Sequence, residues 1–350
     1  MGVSTQSTNN KSGSSPVHFK SRPVTALFVI LVGIVGLILG LIASISVGAA
    51  DIKFMTVWEA VFQFDKNLTQ HQIIRELRLP RALASAIVGA SYAVAGAIMQ
   101  GMTRNPLADS GLLGINAGAG FVLALCFAFN PGITVLGLML YCFLGAGIGA
   151  GIVFGIGSLS RTGLTPIRLA LSGAAVSALL LALSEGIAIH YRIGRDLAFW
   201  YAGGVAGIRW SQIWIMLPWV FGAILVSIII SRSITILSLG DDVAVNLGQR
   251  TTFIKVIGSI AVLILAGSSV SVAGSIGFIG LIIPHMARYL VGVDYRWIIP
   301  SSAVLGGLFV VLADMGARMI NAPTETPIGV LIALIGVPFF LYIARKRGDN

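Results

Sequence analysis

Charged residues make up only 10% of this 350-residue chain, against roughly 25% in soluble domains. With 56% hydrophobic residues beside them, so few charges cannot cover a folded surface in water. A soluble globular fold is excluded. Cysteine is scarce as well: Cys126 and Cys142 both sit inside apolar runs, where a thiol behaves as a small buried hydrophobe. No metal-ligand spacing surrounds them, and the four histidines, His18, His71, His190 and His285, are scattered. No lysine follows a glycine anywhere, which rules out the Gly-x-x-x-x-Gly-Lys-[Ser/Thr] phosphate loop and nucleotide hydrolysis by that route. No clustered catalytic set is visible, so neither an enzyme nor a bound cofactor is expected.

What remains is apolar sequence in long stretches. A membrane-crossing helix needs about 20 mostly apolar residues. Ten stretches approach that length: 24–47, 82–101, 112–129, 133–157, 169–189, 213–230, 253–268, 276–291, 298–317 and 328–344. They predict an all-α polytopic membrane protein of about ten transmembrane helices, forming a single domain over residues 23–346. The apolar run 253–293 cannot be one helix. At about 1.5 Å per residue it would reach about 60 Å, twice the hydrocarbon thickness. The small-residue cluster 267–275 is the place for it to turn, and Pro284 then interrupts the second limb. Residues 1–22 are Ser- and Asn-rich with Lys11, Lys20 and Arg22, predicting a disordered polar leader, and 347–350 form a short tail. The first apolar run is about twice as long as a signal-peptide core and reads as a retained span.

Placing both termini in the cytoplasm puts most Lys and Arg inside, as membrane proteins generally do. The net charge of +10 is then a topology signal rather than a nucleic-acid-binding patch, which needs a soluble face. Outer exceptions gather at Arg75, Arg78, Arg81 and Arg318, with Arg192 and Arg195 elsewhere. An acidic partner docking on that side would account for them. Residues 51–63 space Phe54, Val57, Trp58, Val61 and Phe62 along one helical face, predicting an outer interfacial helix that covers the bundle. The inner loop 231–252 contains Leu239-Gly240-Asp241-Asp242-Val243-Ala244 and then Leu247-Gly248. Its two acids fall in a first turn, where the helix dipole favours them. This segment is either a docking knob for a soluble partner or a solvent-facing connector.

Charges at membrane depth default to functional hypotheses. Asp314 and Arg318 are spaced i, i+4 and predict a helical ion pair. Glu185 either lines a pore or hydrogen-bonds a neighbouring helix. His285, beside Pro284, reads as a hydrogen-bonded bundle residue. The small residues of 169–189, among them Ser172, Gly173 and Ser177, suit either close helix packing or the wall of a pathway.

Several short motifs recur in a known order: Arg78-Leu79-Pro80-Arg81, Val88-Gly89-Ala90, Gly96 to Gln100, Asn105 to Ala108, Gly111 to Gly114, Leu239-Gly240 with Leu247-Gly248, Gly277 to Leu281, Ile283-Pro284-His285, Leu312-Ala313-Asp314, Arg318 and Pro327-Ile328-Gly329. Together they resemble the permease subunits of iron–siderophore and cobalamin ABC importers, the FecCD-type permeases, over nearly everything from residue 24 onward. The resemblance implies ten transmembrane helices, and two permease subunits, identical or paralogous, enclosing a central pathway. It implies two ATPase copies on the cytoplasmic face and a substrate-binding protein on the outer face of a bacterial cytoplasmic membrane. The family's outer arginines, which receive carboxylates of the binding protein, correspond to Arg78, Arg81 and Arg318. Its ATPase-coupling helix matches Leu239, Gly240, Asp241, Asp242, Val243, Ala244, Leu247 and Gly248. Its pathway-lining span matches 169–189, with Ser172, Gly173, Ser177 and Glu185 as lining residues. Ferric siderophore is the implied cargo, with cobalamin or haem as alternatives. An ion-coupled secondary transporter is disfavoured by the scarcity of paired buried acids. Arg75, Arg192 and Arg195 depart from the family pattern.

Overall fold

A computed structural model describes residues 21–47, 54–158, 166–321 and 324–348. Every regular element among them is helical. Each expected apolar run has its own helix: α1 (Pro23–Ser46), α4 (Leu79–Thr103), α5 (Ile115–Phe129), α6 (Val135–Ser158), α7 (Pro166–Tyr191), α9 (Trp210–Ser238), α11 (Thr251–Ala273), α12 (Ile279–Val291), α13 (Tyr295–Ile320) and α14 (Ile328–Gly348). Among the described residues, seven helices are long and apolar enough to cross a membrane, and 115–129, 279–291 and 328–341 are shorter apolar helices. Four small helices lie between them: α2 (Phe54–Phe62), α3 (Thr69–Ile73), α8 (Gly194–Ala202) and α10 (Asp241–Asn246). All but the last two residues of the expected polar leader lie outside the described residues, as do Lys53 and Arg161.

α4 is the central post. It packs most extensively on α13 and also meets α9, α11 and α12. Its most apolar stretch is 83% buried, against 17% for the peripheral α1. The contacts are backbone to backbone, because a methyl group at Gly89 would overlap the Gly306 carbonyl and one at Gly96 the Gly280 carbonyl. Without a hydrophobic drive between helices in lipid, close approach through small residues is what holds such a bundle.

Gly280 is a special position for a second reason. Pro284 has no N–H, so the carbonyl four residues back loses its helical donor. The Gln100 side chain of α4 supplies it, donating to Gly280 O at 3.1 Å and Leu281 O at 3.3 Å. Tyr92 Oη donates to Gly274 O at 2.9 Å, tying the α11–α12 turn to the same post. That turn comes later than expected, because α11 continues through the small-residue cluster to Ala273. Ser269 Oγ donates back to Leu265 O at 2.8 Å, which lets a serine-rich stretch stay helical in apolar surroundings.

Two other boundaries move. α9 runs on to Ser238, so the expected inner loop 231–252 loses its first third to helix. Thr235 Oγ1 bonds back to Ser231 O at 3.0 Å in that extension. α5 is short because the chain before it sits inside the bundle. A methyl on Gly173 of α7 would overlap the Leu112 carbonyl, and Gly173 is roughly 10 Å along α7 at 1.5 Å per residue. A 3-10 turn at Ser110–Leu113, capped by Asp109 Oδ1 accepting from Gly111 N at 2.9 Å, starts α5 from that depth. The short helix α2 buries Val57 and Ala60 against Ile45, Ile74 and Ala82, while Met55, Trp58, Val61 and Phe62 are exposed.

Candidate functional site

At one end of the bundle, arginines converge from three elements. A π-type turn, Ile74–Arg78, joins α3 to α4 and turns Arg78 inward, where it is only 9% exposed. Its Nη1 donates to Ile45 O at 2.7 Å and Ser46 O at 2.9 Å. Arg318 Nη1 donates to Val47 O at 2.9 Å, and its Nη2 to Ser44 O at 3.0 Å and Ser44 Oγ at 2.7 Å. A helix leaves its last four carbonyls without intrahelical donors and carries partial negative charge there. Arg78 and Arg318 answer both needs at the end of α1.

Arg81 does something different. Its Nε reaches Asp314 Oδ1 at 3.0 Å and Oδ2 at 3.2 Å, and its Nη2 reaches Oδ1 at 2.8 Å. Its Nη1 meets Glu325 Oε1 at 2.5 Å. Asp314 is fully buried and also lies 3.2 Å from Arg318 Nε, so the expected i, i+4 pair is present. Sequence spacing found that pair but missed Arg81, which comes from a helix 233 residues away. The three arginines singled out in the sequence therefore stand together, mostly buried. Arg75, Arg192, Arg195, Arg209 and Lys66 are exposed cations of this end among the described residues, and Arg75 lies 4.5 Å over the Phe64 ring.

Beside Arg81 opens a cavity of about 810 Å³. Its walls include Phe127, Phe199 and Trp200, and its charged residues are Arg81, Arg195, Asp196 and Glu325. α8, which supplies most of one wall, was not read from the sequence. The floor is braced by glycines. A methyl on Gly274 would overlap Trp200 O, one on Gly329 would overlap Ala202 O, and Gly204 N donates to Ala273 O at 2.8 Å. Gly203 and Gly274 adopt φ of +68° and +70°, a region that glycine enters without steric cost.

The opposite end carries α10. Gly240 precedes it at φ +137°, and Ala244 is fully buried. Asp241 anchors the helix through Lys255 Nζ at 2.9 Å and Arg104 Nη2 at 3.4 Å. Gln249 Nε2 donates to Ser233 O at 2.9 Å, closing the loop onto α9. Leu239, Val243, Val245 and Leu247 are all more than 40% exposed. An apolar knob is thus held in fixed orientation on a polar loop, with Asp242 and Gly248 also exposed.

α7 packs on α5, α6, the 110–113 turn and α8, and leaves one face open. Glu185 is exposed there with Ala174, Ala175, Ala178 and Ala182, whereas Ser172 and Ser177 are half-buried at its edge. Gly173 faces the Leu112 carbonyl instead, so its small size serves packing in this chain. His285 sits edge-on to Phe339, with ring centroids 5.9 Å apart. Cys126 and Cys142 are both buried thiols without a disulfide.

A model of the FecCD transport family matches residues 22–346. The chain belongs to the FecCD transport family. It is 53% identical over 344 residues to the iron(3+)-hydroxamate import system permease protein FhuB of Bacillus subtilis (strain 168), covering 98% of this chain and 89% of that one. It is 35% identical to the hemin transport system permease protein HmuU of Yersinia pestis, covering 94% and 98%. The fold superposes with a TM-score of 0.79 and 27% identity on a metal-chelate type ABC transporter in an inward-facing conformation, over 92% of this chain and 99% of that one. A FecCD protein is a membrane permease of ABC transporters and not an enzyme, and its ATPase is a separate subunit.

Proposed function

We propose that this FecCD permease carries a ferric siderophore across the bacterial cytoplasmic membrane by alternating access, with ATP chemistry supplied by two copies of a partner on the α10 end. The observation that carries this reading is the pinned, exposed apolar knob of α10 on a chain without a Gly-x-x-x-x-Gly-Lys-[Ser/Thr] loop. Such a knob is a lever for force generated elsewhere. The α10 end is then cytoplasmic, with both termini and ten crossings, and the arginine end faces out. Similarity to an iron(3+)-hydroxamate permease over nearly the whole chain supports the cargo class.

On the outer face, Arg78, Arg81 and Arg318 serve as the docking set for carboxylates of a substrate-binding protein. Charge-assisted pairs of this kind give register as well as strength. Arg81 is the natural first contact, since one of its present partners, Glu325, is 47% exposed and can be exchanged. The open face of α7, with Glu185, Ser172 and Ser177 along it, is the half-wall of a pathway completed by a second permease.

Uptake of radiolabelled ferric hydroxamate and ferric catecholate in a strain deleted for this chain tests the cargo. Restoration of hydroxamate uptake by the chain, together with its ATPase and binding protein, is expected. Reversal of Arg78, Arg81 and Arg318 to Glu is expected to abolish complex formation with the binding protein. Survival of complex and uptake after all three changes would remove the docking assignment.

A further inference from the structure

The cavity beside α8 has more structure than a gap between helices. It lies at the arginine end of the bundle, walled by α8, the 272–274 and 325–328 segments and Phe127 of α5. Its floor is fixed by backbone contacts rather than by mobile side chains. Its volume, about 810 Å³, is in the range of pockets that enclose small-molecule ligands, about 300–1,000 Å³. Phe199 on α8 is 70% exposed although it lines this cavity, with Phe127 and Trp200 as further aromatic walls.

The charges of its lining cancel, Arg81 and Arg195 against Asp196 and Glu325. Arg195 and Asp196 are neighbours on α8. Arg81 is met by Asp314 and Glu325, and Asp314 in turn by Arg318. An aromatic chamber with a balanced rim suits a bulky, amphipathic and uncharged guest. A multiply charged anion would lose its hydration there against a lining that carries no net positive charge.

We propose that this cavity is a selectivity chamber for the metal chelate, in which Phe199 and Trp200 contact the organic shell while Arg195 and Asp196 set the preferred charge. The preferred guest is a neutral ferric complex. Three singly charged hydroxamates neutralise ferric iron, whereas three doubly charged catecholates leave an excess of three negative charges. This inference rests on the siderophore reading above and places part of the specificity in the permease itself. The α8 pair acts as a gate on charge because repulsion, more than attraction, discriminates between similar ligands.

The test uses the complete importer, with its ATPase and binding protein, in proteoliposomes. Uptake of ferrichrome, a neutral trihydroxamate, is compared with that of ferrioxamine B, a trihydroxamate with an added positive charge. Arg195→Glu is expected to shift the uptake ratio about tenfold toward the cationic complex, and Asp196→Lys about tenfold the other way, the size of one modest interaction. A photoreactive benzoylphenylalanine at Phe199 is expected to label with iron-59 ferrichrome during turnover, and one at Leu144 of α6 is not. If the wild type carries both complexes but neither charge variant moves the ratio, or position 199 gives no adduct, the chamber is refuted alone. If the wild type carries no ferric siderophore, the cargo reading falls and the chamber with it.

Discussion

Asp314 is the residue on which the arginine end turns. It is a fully buried carboxylate between two guanidinium groups, and removing one member of such a group leaves the others charged and desolvated. Breaking a buried pair typically costs about 3–5 kcal/mol. Asp314→Asn is therefore expected to lower the unfolding temperature in detergent sharply, and adding Arg81→Gln is expected to recover part of the loss. Strict additivity of the two changes would show that they do not form one network. Asp294, which caps α13, supplies a pH-dependent counterpart. Burial works to raise its pKa, but the bonds from Arg296 and Thr235 prevail and hold the carboxyl below its ordinary value. A depressed folded pKa gives stability that is complete above the unfolded value, about 4, and is lost as pH falls through the folded one. The difference in unfolding temperature between wild type and Asp294→Asn should therefore shrink as pH is lowered from about 4.

Among the elements, α10 shows how a six-residue helix is held in one orientation. Too short to be stable alone, it is oriented by Asp241, which bridges to α11 through Lys255 and to the end of α4 through Arg104. Asp241→Lys is expected to disconnect uptake from ATP hydrolysis, and the swap with Lys255→Asp to restore it at least in part. Equal uptake by single and swapped variants would show that the pair does not hold the lever. Leu247→Asp should instead weaken ATPase association in pull-down, by about tenfold if one apolar contact is lost. α8 teaches the opposite lesson. Its residues have no long apolar run, yet they shape a cavity of about 810 Å³ because Gly274 and Gly329 let its backbone close on two other segments.

On the scale of the molecule, the ATPase is a separate subunit, and the proposed part of this chain is a pathway wall. Vesicles containing it alone are expected to show neither ATP hydrolysis nor accumulation of ferric siderophore, and addition of the ATPase and binding protein should confer both. Ala178→Trp, on the open face of α7, should obstruct uptake in that complete system while ATP hydrolysis persists. Undiminished uptake would move the pathway off α7.

The sequence by itself determined the class, the helical makeup and the position of nearly every long helix, because lipid forces apolar length and internally satisfied backbone onto any crossing segment. It also marked Arg78, Arg81, Arg318 and 239–248, whose residue types are out of place for their side or loop. It placed the 274–278 turn a few residues early and cut α9 short, since serine and threonine hydroxyls bonded back to their own helix read as loop. It could not see that Arg81 meets Asp314, that Gln100 repairs the break made by Pro284, or that α8 builds a chamber. Those are agreements between residues far apart in the chain, and only the packing of glycine faces at a given register brings them within bonding distance.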